Sequence, residues 1–141
     1  MATVRTASTH WEGTLFEGSG RTTPRSSDLS PFDVTWAARA EEPGGLTSPE
    51  ELIAAAHSAC FSMFLSNVLA QAGTPAQALD TTADVTFQPG EGITGIKLTV
   101  RGTVPGMSEE DFLAAAENAK ANCPVSQALS GTTITLDAAL A

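Results

Sequence analysis

Positive charge is scarce in this chain. Of its 141 residues only 7 are Lys or Arg, against 16 Asp or Glu, which leaves a net charge of −9 with no basic run anywhere. Nucleic-acid binding draws most of its affinity from phosphate contacts and needs a basic footprint, so the composition argues against it. Any cationic function must be local and rest on one of those few side chains. The acidic excess serves solubility. Charged residues of either sign make up only 16 %, few enough to suggest that a second subunit covers part of the surface.

Other absences narrow the class further. Met1 to Gly13 is polar and alternating, with no apolar run of signal-peptide length. The longest apolar stretch, Leu52 to Ala70, is broken by His57, Ser58, Ser62, Ser66 and Asn67, so it reads as a buried helix and not as a membrane span. A cytoplasmic protein that neither spans nor binds a membrane is expected. No repeat or linker interrupts residues 1–141, and a single domain is expected. There are only 2 cysteines, and no C-x2-C pair. In a reducing compartment two cysteines point to catalysis, redox sensing or inert burial before a standing structural disulfide.

What is present orders into elements. Val4 to Leu15 and Phe32 to Ala40 alternate like strands, separated by a Gly/Ser/Pro-rich passage from Gly18 to Ser30. Ser48-Pro49-Glu50-Glu51 is a helix start, with Ser48 as cap, Pro49 at the first helical position and Glu51 completing a capping box. That helix is predicted to run to Gln71 or Ala72, stop at Gly73, and pack on several sides. Strands follow at Leu79 to Gln88, Ile93 to Val104 and Thr132 to Leu140, the first two joined by Pro89-Gly90-Glu91-Gly92. A second helix begins at Ser108 and ends or kinks at Cys123 before Pro124, and a short helical piece spans Val125 to Leu129. The order β-β-α-β-β-α-β predicts an α+β fold, an antiparallel sheet carrying helices.

Few of these residues can carry chemistry. Cys60 falls mid-helix, away from the helix terminus whose dipole commonly lowers a thiol pKa, and could be an inert core residue. Cys123 stands at the start of the short helix, polarised by it or simply buried. Sequence spacing cannot establish contact between the two. His57, three residues before Cys60, and His10 could join both cysteines in a Cys2His2 zinc set, though without the usual ligand spacing. Arg39 lies at a predicted strand end and Glu50 in the first turn of the long helix. They are either an exposed charge and a helix-dipole partner, or a buried pair in which Glu50 orients the guanidinium.

The segment from Ser48 to Met63, with Ser48-Pro49-Glu50-Glu51 at its start and Ala56-His57-Ser58-Ala59-Cys60-Phe61 within it, closely resembles the OsmC/Ohr family of peroxidases. So does Ala121-Asn122-Cys123-Pro124-Val125-Ser126-Gln127. Trp11-Glu12-Gly13, Asp80-Thr81-Thr82-Ala83-Asp84-Val85 and Ile134-Thr135-Leu136-Asp137 extend the likeness along nearly the whole chain, in the pattern of the OsmC branch. The resemblance implies an intertwined homodimer with two long central helices and active sites at the subunit interface. It implies a thiol-dependent peroxidase that reduces organic hydroperoxides, with Cys60 as peroxidatic cysteine and Cys123 resolving it through a disulfide. Glu50 and an arginine assist, Arg39 matching the OsmC branch and Arg21 or Arg25 standing as substitutes. No bound cofactor is implied, only an external dithiol reductant, a lipoyl-type group or lipoylated protein being one form. The same cysteines could instead serve a redox sensor or stress-responsive binding protein without sustained turnover.

The arginine's task follows from magnitudes. Lowering the Cys60 pKa from about 8.5 to about 6 would raise its thiolate fraction at neutral pH by about 30-fold. Nucleophilicity would fall by roughly 10 to 20-fold, so little net rate is gained. Its larger role is to hold the peroxide in line and stabilise charge developing on the leaving oxygen.

Overall fold

The alternating N-terminal segments fold as a small antiparallel meander in the computed structural model, which describes all of residues 1–141. Strand β1 (Ala7–Glu12) pairs with β2 (Ser19–Pro24), and β2 with β3 (Phe32–Val34). Strand β2 lies inside the Gly/Ser/Pro-rich passage expected to be turn. Its glycine is there for room: Gly20 sits opposite Trp11 in register, and a Cβ at Gly20 would come within 2.7 Å of the Trp11 ring. Gly in a strand often marks such a close approach.

The predicted strand from Phe32 to Ala40 is also shorter than expected. Thr35 accepts a hydrogen bond from the Ala38 amide through Oγ1 at 3.1 Å and so caps a helical turn, α1 (Trp36–Ala40). Arg39 therefore stands in a short helix and not at a strand end. A good cap overrides the alternation of Phe32, Val34 and Trp36 because it satisfies amides that the strand would leave without partners.

Helix α2 (Pro49–Gln71) has the bounds its caps predict. Ser48 Oγ accepts from the Glu51 amide at 3.1 Å, while the Glu51 carboxylate takes the Thr47 hydroxyl instead of closing the box. At the far end Gly73, at φ +84°, donates to Ala70 and Thr74 donates to Leu69, a Schellman motif. The helix buries one stripe, His57, Phe61, Leu65 and Leu69, at intervals of one turn. Within one chain it packs on that side only: Met63 is 74 % exposed. By length and composition α2 could also cross a membrane.

Strands β4 (Ala78–Gln88) and β5 (Gly92–Thr103) form an antiparallel hairpin, followed by α3 (Glu109–Asn122), α4 (Pro124–Ala128) and β6 (Ile134–Leu140). Here the expectation of a purely antiparallel sheet is corrected, because β6 runs parallel to β5, Ile96 opposite Ile134. A parallel neighbour needs a long crossover, and α3 with α4 supplies it. The core beneath joins Phe61, Leu65 and Leu69 to Leu98 and Val100 of β5 and to Phe112, Ala116 and Ala119 of α3. The chain divides into two compact units, Met1–Leu52 and Ile53–Ala141, with the division inside α2.

Candidate active site

Within Ile53–Ala141, α2 and the α3–α4 junction bring Cys60 and Cys123 together. Cys123 closes α3, its amide donating to the Ala119 carbonyl at 3.0 Å, and opens α4 as N-cap. Pro124 occupies the first position of α4, where its missing amide costs nothing. The next two amides serve the sulfurs. Ser126 N–H donates to Cys123 Sγ at 3.4 Å, and the Val125 backbone acts on the Cys60 sulfur, lowering its pKa. The two cysteines are free thiols, near enough that Cys123 raises the Cys60 pKa. Cys123 is fully buried, Cys60 partly exposed.

Burial pushes the Cys60 thiol up from its ordinary pKa, and the neighbouring Cys123 adds to this. The contact from Val125 acts the other way, because a donor to sulfur favours thiolate. Behind Cys123 stands a polar pair of which the sequence reading weighed His57 only as a zinc ligand and gave Ser126 no role. Ser126 Oγ lies 3.1 Å from Cys123 Sγ and 2.7 Å from His57 Nε2. His57 is fully buried, its pKa lowered by desolvation, and its Nδ1 has no partner. The available signal was Cys123-Pro124-Val125-Ser126: a side chain capable of capping, a proline at the first helical position, and a hydroxyl three residues on.

Within Met1–Leu52, Arg39 and Glu50 meet. Arg39 Nε donates to both carboxylate oxygens of Glu50 at 3.0 and 3.1 Å, and Nη2 donates to Oε2 at 2.8 Å. Glu50 is buried, and this fork fixes the plane of the guanidinium. The two other candidate arginines are held elsewhere, Arg21 by Asp33 at 3.1 Å and Arg25 by Ser8 at 2.8 Å, both on the surface.

The Cys2His2 zinc reading finds no ligand set. His10 is an exposed strand residue bonded to Glu12, His57 faces Ser126, and no group of three or more His, Cys, Asp or Glu is placed to hold a metal ion. Phe61 is wholly core, whereas its neighbours Met63 and Phe64 retain exposure.

The peroxiredoxin OsmC of Escherichia coli K12 is 44 % identical over 131 residues, covering 91 % of this chain and 90 % of that protein. The crystal structure of the organic hydroperoxide resistance protein OsmC from Legionella pneumophila matches with a TM-score of 0.74 at 25 % identity, covering 99 % of this chain and 98 % of that one. An organic hydroperoxide resistance protein from Elizabethkingia anophelis shares the fold at a TM-score of 0.74 and 24 % identity over the full length of both chains. The family described as OsmC-like protein matches residues 42–137, which hold the Glu50, Cys60 and Cys123 positions. Fold, sequence and the meeting of the two thiols agree: the chain belongs to the OsmC-like family.

Proposed function

We propose that this protein is a cysteine-based peroxidase that reduces organic hydroperoxides to alcohols. The observation that carries the reading is the nearness of the Cys60 and Cys123 thiols, with the Val125 backbone favouring thiolate at the more exposed one. A second support is the 44 % identity to a peroxiredoxin. The Cys60 thiolate attacks the distal peroxide oxygen, the O–O bond breaks, the alkoxide takes a proton to leave as alcohol, and Cys60 becomes a sulfenic acid. Cys123 displaces its hydroxyl to form the disulfide, water leaves, and a dithiol or lipoylated protein reduces the pair.

Arg39, oriented by Glu50, steadies the peroxide and the charge on its departing oxygen. Burial raises the Cys60 pKa, so the arginine's contribution lies in the transition state more than in the resting thiol. Met63 and Phe64 favour a hydroperoxide with an organic tail. The working form is a homodimer of single-domain chains in the cytoplasm. Its support is the exposed outer face of α2 and the near absence of a core in Met1–Leu52, where Ala38 is the one buried hydrophobic residue.

The test is mass spectrometry after one equivalent of tert-butyl hydroperoxide. A loss of two hydrogens localised to Cys60 and Cys123 is expected. Cys60→Ser should abolish turnover, and Cys123→Ser should allow one oxidation and then stall. Full turnover by Cys60→Ser ends the proposal, and oxidation that stops after one equivalent despite excess dithiol points to a sensor.

A further inference from the structure

Disulfide closure asks something of Cys123 that its surroundings make difficult. Thiolate is the nucleophile, yet Cys123 has no exposed surface through which to release a proton to water. The Cys60 thiol, the reaction partner, is its neighbour, and two groups hydrogen-bond its sulfur: the Ser126 amide, which can only donate, and Ser126 Oγ at 3.1 Å. The hydroxyl is thus the one acceptor besides the partner. It leads in turn to His57 Nε2 at 2.7 Å, and all three residues are buried. A serine hydroxyl has one proton. When its oxygen accepts from the thiol, its own hydrogen is directed to Nε2, which must then accept, placing the imidazole proton on the unpartnered Nδ1.

We infer that Ser126 and His57 form a proton relay for the resolving cysteine, Ser126 as the catalytic group on Cys123 and His57 as the base positioned behind it. The inference rests on the peroxidase reading above. As Cys123 attacks, its thiol proton passes to Ser126 Oγ while the serine proton passes to His57 Nε2. The new S–S bond forms, the Cys60 S–O bond breaks, and the hydroxide leaving with the bonding pair takes a proton from solvent to become water. During recycling by a dithiol, Cys123 departs as thiolate and recovers its proton from Ser126, which refills from His57. The two dithiol protons go to the Cys60 thiol and to solvent, so the cycle closes. Burial keeps the resting imidazole neutral, leaving Nε2 without a proton, while the same desolvation makes it a weaker base, so the proton rests there only in passing.

The test is a rapid-quench experiment on reduced protein with one equivalent of tert-butyl hydroperoxide, trapping sulfenic acid with dimedone and following the disulfide by mass. In Ser126→Ala the sulfenic acid should form within a few-fold of the native rate and accumulate, with closure slower by about 100-fold, the scale of general-base catalysis. His57→Gln, which keeps a hydrogen-bond partner for the hydroxyl but takes no proton, should behave alike. Ser126→Thr should restore closure to within a few-fold of native. Native-rate closure in Ser126→Ala overturns the relay, as does an equal fall in oxidation and closure, which marks a structural role. Closure in Ser126→Thr as slow as in Ser126→Ala overturns it too. If the native protein yields neither sulfenic acid nor disulfide, the peroxidase reading itself has failed.

Discussion

At Cys60 the protein trades thiolate fraction for shelter. Burial holds the proton on sulfur, and only the contact from Val125 pulls the other way. The sign is clear: a raised thiol pKa means thiolate appears as pH climbs above neutrality. Sulfenic acid formation in single-turnover stopped flow should therefore quicken from pH 6 to 9, approaching ten-fold per unit below the pKa. A rate already flat at pH 6 would contradict this account of the thiol. Cys60 and Cys123 were visible in the sequence as individuals, but nothing local marked them as partners, because contact across a fold is a tertiary fact; the family resemblance supplied the pairing. The roles of Ser126 and His57 went unseen for the same reason, since each becomes meaningful only through the other.

Elements were legible where local chemistry decides them. Helix α2 follows from Ser48, Pro49 and Gly73, whose capping and turn preferences are intrinsic. Strand β2 and helix α1 were not, because Gly20 answers to Trp11 across the hairpin and Thr35 imposes a turn on an alternating segment. The parallel setting of β6 was hidden because strand direction depends on where the crossover lands. Helix α1 carries Arg39, so its cap has a functional reading. Thr35→Ala removes the acceptor for the Ala38 amide and should cost about 1 kcal/mol. Peroxidase kcat/KM should drop several-fold, while closure of the preformed Cys60 sulfenic acid keeps its rate. Thermal melting and steady-state turnover measure the two effects, and unchanged turnover in a loosened protein would detach α1 from the chemistry.

For the whole molecule, the distribution of apolar surface is the telling property. Met1–Leu52 is almost without core, and α2 leaves Leu52 and Met63 in the open, surface that a second copy can cover. Met63→Arg places a charge on that face and should shift sedimentation velocity from dimer to monomer with loss of activity; an unaltered dimer would show that the face lies outside the contact. The proposed chemistry is divided as well, the thiols belonging to Ile53–Ala141 and the Arg39–Glu50 fork to Met1–Leu52. The opening turn of α4 keeps its own amides occupied. The Cys123 amide serves Ala119, Pro124 has none, Val125 is engaged with Cys60, Ser126 N–H is given to Cys123 Sγ, and Gln127 N–H serves the Cys123 carbonyl. A peroxide oxygen arriving there finds no amide of this turn free to receive it. On the proposed mechanism the counter-charge for its departing oxygen comes from a side chain, and a planar cation clamped by a buried carboxylate is chemically suited to supply it.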